Sequence, residues 1–333
     1  MFAESVEVAG KIQLVTPFRT RRILYAFHDI DGTHSLIRDW VPVMTLILGW
    51  ISKNGLLPDD GDVALDLLQI NGDRTFEEAH RFSLESAGLS ALTQMEWAVR
   101  NAMDRRHVPE IVFDHEINRR IIREIWNGKE LFDDFQEAES VRKLIREKSS
   151  SSFRVYEKLL LAMCRDENLA AARKNPEKWR VPGSMEFLRY LHDSGVKNYF
   201  VTGAVVEYDS GGIPSGTMVE EILALGYETG PGKLMEGIAG SVWNEKLPKK
   251  QIMENLCREL DVKPENVLVV GDGRSEIEAG SSLGCVTISR LPGSAARARE
   301  IHKALKTNFI LDSYNPDAIR KILADENPLS GGK

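Results

Sequence analysis

The most informative segment of the chain is Ile23-Leu24-Tyr25-Ala26-Phe27-His28-Asp29-Ile30-Asp31-Gly32-Thr33. It is a short apolar run, unusual only in containing His28, and it ends in two aspartates followed by Gly-Thr. A run of this length bounded by a turn signal is typical of a buried strand in a parallel sheet. Open α/β sheets place their chemistry at the carboxyl ends of such strands. The stretch therefore predicts a site, although by itself it is equally typical of an Asp-Gly turn with solvated carboxylates.

Length and charge narrow the class of protein. The 333 residues allow one large domain or two ordinary ones. The formal net charge of -7 argues against a general nucleic-acid or anionic-membrane surface. We therefore expect no nucleic-acid partner and no membrane association, while the oligomeric state stays undetermined.

The cysteines and the apolar segments bear on the compartment. Cys164, Cys257 and Cys285 are too few and too widely spaced for a disulfide framework or a zinc site, which indicates a reducing compartment. The N-terminus shows no basic segment leading into an apolar one, so no signal peptide is evident. The longest apolar run, Trp40 to Ile51, is too short to span a bilayer. We expect a cytoplasmic protein.

Residues 35–179 show apolar residues at helical spacing and few strand signals, which predicts an all-helical insert. Asp73 and Thr75 are predicted to cap a helix that begins near Phe76. The run Ser149 to Ser152 is predicted to be a loop between two helices of this insert.

Beyond residue 180, strand and helix patterns alternate, which predicts βαβ units around a parallel sheet. Residues 1–34 and 180–325 are therefore predicted to form one α/β core, with a last helix from Pro316 and a flexible tail at 326–333. The predicted fold class is α/β, a Rossmann-like doubly wound parallel sheet with a second, all-helical domain. The insert leaves the core directly after the first strand, where it is positioned to cover a site.

Three further positions are predicted to lie at the same sheet edge as Asp29: Thr202, the lysines near 249, and Asp272 with Glu276. The carboxylates supply hard oxygen ligands suited to Mg²⁺. The hydroxyl of Thr202 and the charge of Lys249 suit phosphoryl oxygens. A carboxylate can act as a nucleophile in phosphoryl transfer, and a second carboxyl can handle the proton.

The chain resembles the haloacid dehalogenase-like (HAD) superfamily in its phosphatase branch, with a large helical cap inserted after the first motif. Four motifs match in order and in strand context: Asp29-Ile30-Asp31-Gly32-Thr33, then Val201-Thr202-Gly203, then a lysine opening a helix, then Gly271-Asp272-Gly273 with Glu276. The resemblance covers the α/β core, whereas within 35–179 only the general type of cap is recognisable.

The resemblance implies a role for each matched residue. Asp29 would be the nucleophile and a Mg²⁺ ligand, and Asp31 the general acid/base whose main-chain carbonyl also binds the metal. Lys249 would neutralise the phosphoryl group; Lys246 and Lys250 compete for this role, but the helix start and the spacing to Asp272 favour Lys249. The remaining implied roles are phosphoryl or substrate binding by Thr33, Thr202 and Gly203, metal binding by Asp272, and outer or water-mediated metal support by Glu276.

The aspartate at position 31 separates the reactions of the superfamily. Phosphatases need an acid there for the departing oxygen, whereas dehalogenases and phosphonatases are expected to lack it. The resemblance thus implies a Mg²⁺-dependent phosphatase that hydrolyses a small phosphorylated metabolite, a sugar phosphate or similar monoester, through an aspartyl-phosphate. A phosphomutase would share these residues and differ in a cap that excludes water. A non-catalytic phospho-ligand-binding module would be expected to lack Asp29, Asp31 or Asp272, and none is missing.

Overall fold

The computed structural model of the protein describes residues 6–8, 12–17, 22–87, 89–105, 108, 112–130, 132, 134–241 and 247–314. The predicted last helix from Pro316, the predicted tail at 326–333 and the competing Lys246 lie outside these residues.

In the described part of the chain, eight strands form one mixed, mostly parallel sheet, and two more form a separate antiparallel ribbon. In chain order the strands are β1 (Val6–Val8), β2 (Ile12–Leu14), β3 (Tyr25–His28), β4 (Lys197–Val205), β5 (Glu207–Tyr208), β6 (Pro214–Ser215), β7 (Gly237–Ser241), β8 (Val267–Gly271), β9 (Val286–Arg290) and β10 (Phe309–Leu311). The order across the large sheet is β1-β2-β10-β9-β8-β3-β4-β7, and the ribbon is β5-β6.

The predicted α/β fold class is confirmed, with one correction at the edge of the sheet. The strands from β10 to β7 pair in parallel, whereas β1, β2 and β10 pair antiparallel. A short connection such as the one from β1 to β2 can join only antiparallel strands, because a parallel neighbour needs a crossover. The opening strand β3 lies between β4 and β8, and its last residue His28 pairs with Phe200 and Val270. The predicted site therefore lies at an interior strand of the sheet.

Thirteen α-helices occur in the described residues, with a π-helical turn at Leu161–Arg165 and a 3-10 turn at Pro264–Asn266. The helices are α1 (Trp40–Asn54), α2 (Gly61–Ile70), α3 (Glu77–Glu85), α4 (Ala91–Asp104), α5 (His115–Trp126), α6 (Glu139–Leu160), α7 (Asp166–Lys174), α8 (Pro176–Trp179), α9 (Ser184–Asp193), α10 (Thr217–Ala224), α11 (Lys249–Glu259), α12 (Arg274–Leu283) and α13 (Ala296–Ala304). No helix in the described part of the chain is long and apolar enough to cross a membrane.

The chain divides into two compact units. The first comprises Met1–Ile37, Ala170–Ser241 and Lys249–Lys333, and the second comprises Arg38–Leu169 with Val242–Pro248. These borders lie inside the expected borders at 35 and 179 because the two connecting segments pair with each other. Ser35 bridges Arg180, and the amide of Leu36 donates to the carbonyl of Trp179 at 2.9 Å. The assignment of residues 35–179 to a separate cap domain stays a prediction.

Within the second unit, packing overrides two local sequence signals. The predicted loop at Ser149–Ser152 is wrong, because these serines lie inside the continuous helix α6, between the buried side chains of Ile145 and Phe153. The predicted cap of α3 is also wrong, since the helix begins after Phe76 without a side-chain cap. Phe76 is buried against Gly49, where a β-carbon would lie 2.1 Å from the Phe76 ring. Both cases show burial of apolar side chains deciding over helix propensity and capping.

Candidate active site

The chain turns immediately after β3, at Asp29. The amide of Asp29 donates to Val270 on the neighbouring strand at 2.9 Å, and the amide of His34 returns to the carbonyl of Ile30 at 2.8 Å. Gly32 adopts a φ of 75°, a left-handed conformation that favours glycine. A β-carbon at Gly32 would lie 2.2 Å from the Asp272 carboxylate, so the missing side chain also allows a close approach of the two loops.

Lys249 joins two of the predicted carboxylates. Its ammonium donates to Asp29 at 2.6 Å and to Glu276 at 2.8 Å, and the lysine is almost fully buried. Lys249 is the first residue of α11, while the next residue, Lys250, is exposed. Of the two competing lysines that the structure describes, Lys249 is thus the one brought to Asp29.

Asp272 directly follows β8, and Glu276 lies in the first turn of α12. The hydroxyl of Thr33 donates to the Asp272 carboxylate at 2.7 Å and accepts from the Asp272 amide at 3.0 Å. One oxygen of Glu276 accepts from the amide of Gly273, which caps the helix, and the other accepts from Lys249. Glu276 therefore has both oxygens engaged, and it holds the lysine against Asp29.

The buried cluster of Asp29, Asp272, Glu276 and Lys249 contains more acidic than basic groups. Burial raises the pKa of Asp29 to about 6 against the opposing attraction of Lys249. Burial, together with the charges of Asp29 and Glu276, raises the pKa of Asp272 to about 8. Burial also disfavours ionised Glu276, but the attraction of Lys249 outweighs it and lowers the Glu276 pKa. One ammonium therefore faces three carboxyl groups, and it does not balance them.

This donor set fits a divalent cation. Oxygens of Asp29, Asp272 and Glu276 lie within 4.8 Å of one another. Hard cations such as Mg²⁺ prefer a few carboxylates, completed by carbonyls and water. A cation would relieve the repulsion that raises the Asp272 pKa, and binding would release the proton from that carboxyl.

The predicted phosphate-binding residues Thr202 and Gly203 lie at the same edge of the sheet as Asp29. Thr202 is two residues beyond Phe200, which pairs with the last residue of β3, and it is buried. Its hydroxyl accepts from the amide of Ala204 at 3.1 Å. The strand β4 continues beyond Thr202 to Val205. After an irregularity in register, Val205 still pairs with Ser241. The hydroxyl of Thr202 therefore projects from within a strand rather than from a loop.

Sequence reasoning did not find the buried groups that support the loop after β3. His34 is fully buried, and the ring of Tyr314 stacks on it with centroids 5.4 Å apart. The Tyr314 hydroxyl donates to the carbonyl of Thr33 at 3.1 Å, across 281 residues of sequence. No local pattern links residues so far apart. The presence of His28 in an otherwise apolar strand was the one visible signal, because His28 and His34 are in contact at 3.1 Å.

A family model described as haloacid dehalogenase-like hydrolase matches residues 85–284, well over half of the chain. The chain belongs to the haloacid dehalogenase-like hydrolases. The resemblance drawn from the motifs is thereby confirmed at the level of the superfamily. The matched range contains Lys249 and Asp272 but begins after Asp29. The first motif is joined to this hydrolase region by the ion pair between Asp29 and Lys249.

Solved structures with a similar chain trace cover nearly the whole protein at low identity. A β-phosphoglucomutase from Clostridium difficile is 14% identical over 92% of this chain and 99% of that chain, with a TM-score of 0.47. A phosphonoacetaldehyde hydrolase-like protein from Oleispira antarctica is 14% identical over 95% and 97%, with a TM-score of 0.48. A HAD phosphatase from Thermococcus onnurineus is 16% identical over 91% and 99%, with a TM-score of 0.43. Likeness at this level carries no inference about reaction or substrate. Among curated proteins, none matches the chain.

Proposed function

We propose that this HAD hydrolase is a Mg²⁺-dependent phosphatase that cleaves a small phosphate monoester through an aspartyl-phosphate at Asp29. The observation that carries the proposal is the buried contact of Lys249 with Asp29 and Glu276, with Asp272 beside it at the carboxyl edge of the sheet. A carboxylate held beside one ammonium and an excess of acidic oxygens is equipped to receive a cation and a phosphoryl anion together.

Asp29 is the proposed nucleophile. With its pKa at about 6, it is mostly ionised at pH 7 although it is buried. Its oxygen forms a bond to phosphorus while the bond from phosphorus to the ester oxygen breaks. The departing oxygen takes its proton from the carboxyl of Asp31, which follows the nucleophile across the turn. In the second step Asp31 accepts a proton from water, and the hydroxide displaces Asp29 to release inorganic phosphate.

Asp29, Asp272 and the main-chain carbonyl of residue 31 are the proposed Mg²⁺ ligands. When bound, Mg²⁺ would supply positive charge to phosphoryl oxygens and to the carboxylates around them. Glu276 has its oxygens engaged by Lys249 and Gly273, which favours a supporting or water-mediated role over direct ligation. Lys249 holds the Asp29 carboxylate in place and adds a fixed charge beside the transferred group.

Thr202, Gly203 and Thr33 are the proposed residues for the phosphoryl group and substrate. Thr202 offers a hydroxyl from the neighbouring strand. The hydroxyl of Thr33 is engaged with Asp272, so a contribution of Thr33 to substrate binding would come from its main chain. We propose a sugar phosphate or similar small monoester as the substrate class, and the cytoplasm as the compartment, the latter in keeping with free thiols at Cys164, Cys257 and Cys285.

The test is phosphate release from an aryl phosphate or acetyl phosphate with and without Mg²⁺. The proposal expects turnover by the unaltered chain, loss of turnover when Mg²⁺ is chelated, and loss in Asp29→Asn. Asp193→Asn is the matched control, because Asp193 is exposed at the end of α9. Activity that survives Asp29→Asn or ignores the chelator would overturn the proposal. Free phosphate also separates a phosphatase from a phosphomutase, which returns the group to its substrate.

A further inference from the structure

The segment after β10 returns to the active-site edge of the sheet and ends its described part at Tyr314. In the sheet, β9 and β8 separate β10 from β3, yet Tyr314 lies against the loop that follows β3. Its ring stacks on Phe187 with centroids 4.7 Å apart and on His34. Gly183 makes room for it, since a β-carbon there would lie 2.8 Å from the Tyr314 carbonyl oxygen. Tyr314 is therefore held on several sides beneath the site.

The surrounding hydrogen bonds determine which acceptor the Tyr314 hydroxyl donates to. The amide group of Asn198 donates to two main-chain carbonyls, so its oxygen accepts from Nε2 of His28 at 3.1 Å. Nδ1 of His28 then carries a lone pair and accepts from Nε2 of His34 at 3.1 Å. Because Nε2 of His34 is a donor, it cannot accept from Tyr314. The Tyr314 proton consequently goes to the carbonyl of Thr33 at 3.1 Å.

Thr33 passes this restraint on to Asp272. Its hydroxyl contacts both the carboxylate and the amide of Asp272, at 2.7 and 3.0 Å. Two hydrogen bonds to one residue fix both its side chain and its main chain. The peptide of Thr33 is thus anchored from below by Tyr314, and its side chain anchors the loop after β8.

We propose that Tyr314 is a positioning residue for the metal site: by holding Thr33, its hydroxyl sets Asp272 at the distance from Asp29 that Mg²⁺ requires. This inference rests on the proposed function for the identity of the metal ligands. It makes the chain segment after β10 part of the support of the active site. Mg²⁺ demands near-ideal geometry from its ligands, so a small displacement of Asp272 weakens binding.

The test is Tyr314→Phe, which keeps the stacked ring and removes the hydroxyl. We expect the Mg²⁺ dissociation constant to increase roughly three- to tenfold, which is the effect of losing one neutral hydrogen bond. Calorimetric titration of the full chain with Mg²⁺, without substrate, measures it. The matched control is Tyr227→Phe. Tyr227 is also buried, but its hydroxyl bonds to Ser184 and to the carbonyl of His34 rather than to Thr33. The control is expected to lose stability and to keep its Mg²⁺ affinity.

The outcomes separate positioning from a purely structural role. Unchanged Mg²⁺ affinity in Tyr314→Phe, or an equal loss in Tyr227→Phe, overturns the inference. Thr33→Val cuts the same path at its other end and serves if Tyr314→Phe does not fold. It should weaken Mg²⁺ binding at least as much, and unaltered affinity would also overturn the inference. Where both fold, the double variant should lose less than the product of the two single effects, because both act through one path.

Failure of the inference can be told apart from failure of the proposed function. If the unaltered chain binds Mg²⁺ but releases no phosphate, the proposed function fails while the Tyr314→Phe titration still decides the positioning role. If the chain releases phosphate and Tyr314→Phe binds Mg²⁺ normally, only the inference fails. If the unaltered chain binds no Mg²⁺, both fail.

Discussion

Replacing Lys249 by methionine removes the buried cation on which the electrostatics of the site depend. The change keeps an unbranched apolar chain of similar length but leaves Asp29 and Glu276 facing each other without their shared donor. The lysine side chain is 4% exposed, and those of the two carboxylates 10% and 0%. Solvent therefore cannot take over the neutralisation.

The magnitude follows from the burial of this cluster. Removing one partner of a buried ion pair costs about 3–5 kcal/mol, because a buried charge is left uncompensated. Proton uptake limits the loss, since burial already raises the pKa of Asp29 to about 6 and removing Lys249 raises it further. We expect a decrease of about 3 kcal/mol in the free energy of unfolding at pH 7.

The pH dependence of this loss has a definite sign. In Lys249→Met, the pKa values of Asp29 and Glu276 are expected to be higher in the folded chain than in the unfolded chain. The folded variant then binds more protons than the unfolded variant, so its free energy of unfolding increases as the pH is lowered from 7 to 5. The difference between the unaltered protein and the variant should accordingly be smaller at pH 5 than at pH 7.

Urea unfolding followed by circular dichroism, with Mg²⁺ chelated, measures both effects. Lys250→Met is the control, because Lys250 is the adjacent, exposed residue of α11 and its loss should change stability by less than about 0.5 kcal/mol. A loss below about 1 kcal/mol for Lys249→Met, or an equal loss for Lys250→Met, would refute the account of the buried ion pair.

Two other perturbations test the loop and the buried histidines. Gly32→Ala should destabilise the fold by about 1–2 kcal/mol from its left-handed backbone alone, and it should also weaken Mg²⁺ binding by displacing Asp272. Gly284 also has a left-handed backbone, with a φ of 85°, but a β-carbon there would have no neighbour within 4 Å. Gly284→Ala should therefore lose stability and keep its Mg²⁺ affinity. Equal Mg²⁺ affinities in the two variants would contradict the close approach of Gly32 to Asp272. Burial lowers the pKa of three histidines, His28, His34 and His302. The lowered pKa is about 3 for His28 and about 4 for His302. Below pH 6.5 these histidines bind protons in the unfolded chain but not in the folded one. Each histidine's contribution to the free energy of unfolding should therefore decrease as the pH is lowered, by up to about 1.4 kcal/mol per pH unit. His302→Asn should flatten this slope while the exposed His192→Asn should not, and an identical slope in both would contradict the assignment.

The parts of the fold that were predictable are those written in local sequence. The apolar run that ends at Asp29 predicted the buried parallel strand β3, and the alternating patterns beyond residue 180 predicted a parallel sheet around it. In contrast, β7 (Gly237–Ser241) was missed because the sequence Gly-Ile-Ala-Gly-Ser carries no apolar run. Gly240 has a packing reason in the structure, since a β-carbon there would lie 2.7 Å from the Ala204 carbonyl. Close contact between strands, rather than propensity, places glycine in this strand.

The candidate site divides in the same way. Asp29 and Asp272 were predicted because they end apolar strands, and parallel strands bring their carboxyl ends to one edge. Lys249 was preferred over its neighbours from its place at a helix start and its spacing to Asp272, whereas its contact with Asp29, across 220 residues, is a tertiary one. The anchoring of Thr33 by Tyr314 spans 281 residues and involves a hydroxyl with no motif around it. Contacts of this kind depend on the tertiary fold, and one sequence does not specify them.

Covalent capture of the phosphoryl group tests whether Asp29 is the nucleophile. The full chain is mixed with acetyl phosphate and Mg²⁺, quenched in acid, digested and examined by mass spectrometry. The account predicts one phosphoryl group on the peptide that contains Asp29, labile to hydroxylamine and absent when Mg²⁺ is chelated. Phosphate release with the phosphoryl group on another residue, or with no phosphorylated peptide at any time during turnover, would contradict it.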